Sequence, residues 1–195
     1  MGYPVFPSPK ICAKICKSGQ SRFPASALLL IFVKIFALRT VLTILLVLFI
    51  LIQFFPVDKT NPPVNKGMDF LTVKQTPEPL AKIIRASCYD CHSNETTYPA
   101  YTRIQPFGWF MKNHIDEGRQ HLNFSLFATY EPKRQAHKMD ESVEMIENGE
   151  MPLESYLLMH SKAKLTDAQR AELMAYFKRI AEETRSANNL AAPAN

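Results

Sequence analysis

An uncharged run of 18 residues from Thr40 to Val57, TVLTILLVLFILIQFFPV, constrains this chain more than any other feature. As a helix it extends roughly 27 Å, about the thickness of the hydrocarbon core of a bilayer. It has no amphipathic stripe to seat it in a globular core, so a membrane span is the stronger reading and a buried core helix the weaker. A cleaved signal peptide is the rival. Gln53-Phe54-Phe55-Pro56 is bulky where a cleavage site needs small residues, which favours an uncleaved anchor. The earlier apolar stretch from Ala25 to Val33 is cut off by Lys34 and Arg39, and it reads as a cytoplasmic or interfacial approach to the span.

Charge gives the run a direction. All 18 Asp and Glu residues follow Pro56, whereas Lys10, Lys14, Lys17, Arg22, Lys34 and Arg39 precede it, so the net +5 divides into +6 for residues 1–56 and −1 for the rest. A basic chain of this kind would ordinarily suggest a nucleic-acid partner, but positive charge confined beside an apolar run is a topology signal instead. By the positive-inside rule residues 1–39 form a basic cytoplasmic N-terminus and residues 40–57 the anchor, with everything beyond exported. In a bacterial cell that places the remainder in the periplasm, tethered to the inner membrane by a single pass.

The exported part reads as all-α. Residues 58–75 begin with the polar, proline-containing DKTNPPVNK and are expected to form a linker. A helix is expected from Thr76 as N-cap and Pro77 at the first helical position, with Leu80, Ile83 and Ile84 at helical spacing leading to Cys88. A second helix should run from Pro106 to Arg119 with Phe107, Phe110, Met111, His114 and Ile115 as its apolar stripe, although Gly108 and Gly118 blur its ends. A third is expected over Pro132–Glu147, burying Ala136, Met139, Val143 and Ile146 and stopping at Asn148-Gly149. Thr166-Asp167-Ala168-Gln169 has the form of a capping box, and Leu173, Phe177 and Ile180 follow on one face. The domain would thus span residues 76–184, with a disordered tail over 185–195. No segment alternates apolar and polar residues over a convincing strand length.

Cys88-Tyr89-Asp90-Cys91-His92 has the C-x-x-C-H spacing of covalent haem attachment. Two thiols two residues apart can bond the two vinyl groups of one porphyrin, and the adjacent histidine is then the proximal iron ligand. Three other readings compete. A redox dithiol would need a βαβ setting, and here a helix precedes the motif. Zinc would need further ligands, yet Cys12 and Cys16 lie across the expected membrane and carry no assigned role. A structural disulfide in an oxidising compartment stays open.

Four segments in order resemble the short, membrane-tethered bacterial proteins that carry a haem-binding domain. They are QFFPVDKTNPPV, CYDCHSNETTYPAY, PFGWFMKNHIDEGRQHLNFS and GEMPLESYLLMHSKAKL, spread over about Gln53 to Phe177. One position departs, Ala100, where the family pattern leads to an aromatic residue. The resemblance implies a periplasmic, helical, cytochrome c-like domain that binds haem, and no substrate.

Tyr98, Tyr101, Phe107, Trp109 and Phe110 could wall the porphyrin, or simply form core; Arg103 and Lys112 are candidate propionate partners or ordinary solvated charges. For the distal iron ligand the expectation is Met151. Gly149-Glu150-Met151-Pro152 resembles the methionine loop of small c-type cytochromes, and proline restricts the residue before it. His160 is the first alternative and His114 the second; His121 and His137 are further histidines after the motif. The cofactor expected is one covalent haem c, and the function a one-electron carrier serving periplasmic or membrane redox proteins. A haem-based sensor or peroxidase-like enzyme with an open distal position, or a module that only binds haem, are the alternatives.

Overall fold

The computed structural model describes residues 25–191, so Cys12, Cys16 and four of the six N-terminal cations lie outside it. All regular structure among the described residues is helical, without a strand, and the chain divides into two compact units at Leu51–Ile52.

The first unit is helix α1 (Ala25–Ile52). Its stretch Phe32–Ile52, 21 residues, is long and apolar enough to cross a membrane. The helix starts earlier and ends earlier than the expected 40–57 span. Lys34 and Arg39 do not interrupt the helix, because a charged head on a long stem leaves the backbone ladder intact. Thr40 and Thr43 turn their hydroxyls back onto the Phe36 and Arg39 carbonyls at 3.0 and 2.9 Å. The helix stops at Ile52, and within the second unit the Gln105 N–H donates to Gln53 Oε1 at 2.8 Å while Gln53 Nε2 donates to the Gln105 carbonyl at 3.1 Å.

The second unit starts at Ile52, not at residue 76. Residues 58–65 lack regular structure, as a linker would, but residues 66–75 do not behave as one. A 3-10 turn (Lys66–Met68) leads into α2 (Phe70–Val73), whose cap Asp69 accepts the Leu71 N–H at 3.1 Å. Phe70 is completely buried. Its ring meets Phe124, Phe127, Tyr176 and Phe177 at centroid distances of 4.9 to 6.2 Å. We expect Phe70→Ala to destabilise the domain by about 3–5 kcal/mol, the usual cost of emptying a fully packed aromatic site. Urea titration of the detergent-solubilised chain, followed by circular dichroism, checks it.

Helix α3 (Glu78–Ser87) begins one residue later than expected, with Pro77 as the N-cap. Thr76 makes no cap, because its hydroxyl is hydrogen-bonded to the Tyr176 hydroxyl at 2.7 Å. A single further turn, α4 (Tyr89–His92), carries the cysteine motif. Helix α5 (Phe107–His121) starts one residue and ends two residues later than expected; Met111 and Ile115 of the expected stripe are buried, together with Gly108 and Gly118, while Phe107 and Phe110 stay exposed.

Helix α6 (Pro132–Glu147) has the expected bounds and buries Ala136, Met139, Val143 and Ile146. A short α7 (Glu154–Leu157) precedes α8 (Asp167–Ala187), whose Thr166–Gln169 capping box is complete. Leu173, Phe177 and Ile180 are buried, and α8 packs along α6. Tyr176, Ala181 and Thr184 extend the buried face beyond the expected stripe, so the helix continues through Ala187 into the expected tail. Residues 192–195 lie outside the described residues.

Candidate haem site

Cys88, Cys91 and His92 stand at i, i+3 and i+4, the spacing that puts three side chains on one face of a helical turn. The turn is real: the Cys91 and His92 N–H groups both donate to the Cys88 carbonyl, at 3.2 and 2.9 Å. Cys88 packs against the larger of two apolar clusters and Cys91 against the smaller, so the motif sits at their junction. The two residues between the cysteines hold the turn in place. Tyr89 is buried, stacks on Phe124 at 5.4 Å and donates its hydroxyl to Asp69 at 3.1 Å. Asp90 accepts the Tyr156 hydroxyl at 2.6 Å and the Thr97 N–H at 2.9 Å.

His92 is oriented from behind. Its Nδ1–H points at the Gly118 and Leu122 carbonyls, both at 3.0 Å, which leaves the Nε2 lone pair for a metal. Burial holds the imidazole below its ordinary pKa, so it is the neutral, ligating form at neutral pH. Position 118 has to be glycine, since a Cβ there would lie 2.8 Å from the Cys91 carbonyl oxygen. The glycine read as a blurred helix end is therefore the point where α5 closes on the motif.

Burial, with Cys91 beside it, pushes the Cys88 thiol up to about 12; burial and the Asp90 carboxylate push Cys91 up to about 11, against the pull of Arg119. Both are separate, neutral thiols. That is the opposite of a redox dithiol, which works through a lowered thiol pKa. Nor is any group of three or more His, Cys, Asp or Glu side chains among the described residues arranged to hold a metal ion directly.

The motif opens onto a cavity of about 550 Å³. Leu122, Phe124, Ile146, Leu165, Leu173 and Phe177 supply its apolar wall, and Met151 lines it together with Cys88, Cys91 and His92. The route that brings Met151 there is local. Gly149 takes φ +75°, a conformation costly for any side chain, and the Met145 carbonyl then collects the N–H groups of both Glu150 and Met151, at 2.9 and 3.1 Å. Tyr156, reaching back to Asp90, ties the far end of this loop to the motif.

The other candidates separate cleanly. His114 lines the cavity, although its Nδ1 bonds the Phe110 carbonyl at 2.8 Å. His121, not singled out above the other histidines, lines it too. His160 does not: it stacks on Tyr156 at 4.0 Å. Trp109 and Tyr101, expected at the porphyrin wall, are elsewhere. Trp109 donates its indole N–H to the Phe55 carbonyl at 2.9 Å, and Tyr101 packs into the smaller cluster beside His160. Tyr98, Phe107 and Phe110 are likewise absent from the lining, and the residues that α5 buries are Gly108, Met111, Ile115 and Gly118. Arg103 is exposed and Lys112 is paired with Asp116 at 2.5 Å; the cation that reaches the lining is Lys138.

A polar network behind the motif escaped the sequence reading. Arg119 donates to the Ser93 carbonyl (2.8 Å), Asn61 Oδ1 (2.8 Å) and Thr96 Oγ1 (2.9 Å). Asn123 donates to Asn94 Oδ1 at 2.8 Å, and Asn94 to the Pro63 carbonyl at 3.1 Å. The signal was present in the run Ser93-Asn94, which is polar yet buried beside the motif.

The residues fit a porphyrin: a predominantly apolar cavity, two neutral thiols on one face of a turn, and an oriented imidazole with a free nitrogen. The family described as haem-binding domain matches residues 47–179, well over half of the chain. The chain belongs to the haem-binding domain family. No curated protein and no solved structure matches it. The haem-binding domain begins inside α1 and ends in α8, so the match includes residues 58–75 and the extended stretch within them.

Proposed function

We propose that this haem-binding domain holds one haem c covalently and carries single electrons at a membrane surface. The observation that carries the reading is the placing of Cys88, Cys91 and His92 on one helical face, opening onto a cavity that Met151 also lines. A bound haem supplies a one-electron iron couple. The protein's residues do the rest. Cys88 and Cys91 would form thioether bonds to the two vinyl groups, and His92, whose Nδ1–H faces two carbonyls, would offer Nε2 to the iron. Met151 would offer a soft, neutral thioether as the second protein ligand, which favours the ferrous state. Phe124, Leu173 and Phe177 exclude water, and the low dielectric they create also favours the less charged reduced state. Lys138, the lysine of the lining, is paired with Glu141 at 2.5 Å and would have to share that ammonium with a propionate.

Helix α1 serves as a single-pass anchor, with the basic N-terminus in the cytoplasm and the haem domain in the periplasm of a bacterial inner membrane. Tethering keeps the domain beside membrane-bound or periplasmic redox partners. Carbon monoxide titration of the dithionite-reduced protein tests the carrier role. A haem with both axial positions filled by His92 and Met151 should show no fast binding phase. Rapid, complete binding would instead indicate the open position required by a gas sensor or a peroxidase-like enzyme.

A further inference from the structure

We propose that an aromatic patch on the haem domain, built from Phe54, Phe55, Ile104, Phe107, Trp109 and Phe110, rests in the interfacial layer of the membrane and holds the domain against it. The proposal relies on α1 being a membrane span. Each of the six residues is between 39 % and 75 % exposed, although a soluble surface seldom gathers so many large apolar side chains. They come from two segments joined by three hydrogen bonds: the reciprocal pair between Gln53 and Gln105, and the Trp109 indole N–H to the Phe55 carbonyl. Gln105 is itself buried, so the joint is part of the domain's interior and not a loose contact.

The occupant follows from chain continuity. The apolar helix ends at Ile52, and Phe54 comes two residues later, so its backbone lies within roughly 7 Å of the end of the span. A surface that near the exit of a span is in the headgroup region, where tryptophan and other aromatic rings are favoured because they offer an apolar body with a polar edge. Exposed Arg103 beside the patch suits the phosphates of that layer. By contrast, the exposed pair Leu158 and Met159 has no such link to the span. A domain docked in this way has one fixed side toward the bilayer, whereas a domain on a free linker would tumble.

Trp109 is the chain's one tryptophan, so the bromine-dependent change in its residual, haem-quenched emission, taken relative to unbrominated vesicles, reports on the patch. The full haem-loaded chain would be reconstituted into vesicles of phosphatidylcholine and phosphatidylglycerol, with bromine either near the headgroup or at the chain terminus of the lipid. We expect headgroup-proximal bromine to lower the emission roughly two-fold relative to unbrominated vesicles, and terminal bromine to have little effect. The double variant Phe107→Ser, Phe110→Ser changes only exposed side chains and should lose most of that quenching while keeping its haem spectrum. Alkaline carbonate washing of the same vesicles separates the two layers of the argument. Release of the chain would overturn the span and the docking together. Retention without quenching by either lipid, whether the patch then faces water or a second copy of the chain, would overturn the docking alone.

Discussion

Replacing Cys88 and Cys91 together by serine should remove all haem-peroxidase staining from the chain after denaturing electrophoresis, whereas the wild-type chain should stain at its own mass. The expectation rests on chemistry more than on packing. Serine keeps nearly the size of cysteine, and Tyr89, Asp90 and His92 keep their partners, so the turn Tyr89–His92 should persist. What disappears is the ability to form thioethers. The double variant should therefore still bind haem through His92 and the apolar wall, with a Soret band that is lost on denaturation. That contrast separates covalent attachment from mere binding. A wild-type chain that carries no stain after expression with a working cytochrome c maturation system would sink the c-type assignment and leave a haem-binding domain of another kind.

The second large effect is expected at Met151. In the ferric protein a methionine-ligated haem gives a weak band at about 695 nm, and Met151→Ala should abolish it while lowering the reduction potential by on the order of 100 mV. Emptying that position should also allow carbon monoxide to bind the reduced protein rapidly. His160→Ala should leave the band alone, since His160 is engaged with Tyr156 outside the cavity. His114 is the informative comparison, because it does line the cavity. Were the band missing in wild type while His114→Ala altered the iron spectrum, the distal role would move to His114; a band retained in Met151→Ala would move it to Met145, the other methionine of the lining.

These expectations also show where sequence reasoning reached and where it stopped. Haem binding was legible because the C-x-x-C-H pattern has a fixed spacing within five adjacent residues. Helices α6 and α8 were legible because each buries one periodic stripe, as Met139 and Val143 show in one and Leu173 and Phe177 in the other. Helix α2 was missed for the opposite reason. At four residues it has too little periodicity to register, yet it places the fully buried Phe70 among four aromatic rings. Asp69 before Phe70-Leu71 was the one cue, an N-cap residue ahead of an apolar pair.

Helix α5 was misread in a more instructive way. Its aromatic residues seemed the natural inner face, because apolar side chains usually seek the core. The folded domain instead brings the α5 backbone close to the motif at Gly118, where no side chain fits, and turns Phe107 and Phe110 outward. Local composition carries no information about which neighbour a helix will meet, so it could not distinguish a wall of the cavity from an outer surface.

By itself the sequence determined the all-helical class, the apolar helix near the N-terminus, the haem-binding family and the bounds of α6. Each depends on residues close together in the chain, whose spacing sets hydrogen bonding, periodicity or bond formation directly. Only the tertiary structure decided which histidines share a cavity with His92, that Phe124 and Phe177 line it in place of Trp109 and Tyr101, and that Tyr156 binds Asp90 across 66 positions of sequence. Those outcomes depend on how separate helices pack, and packing is settled by the fit of whole surfaces, which no local pattern encodes.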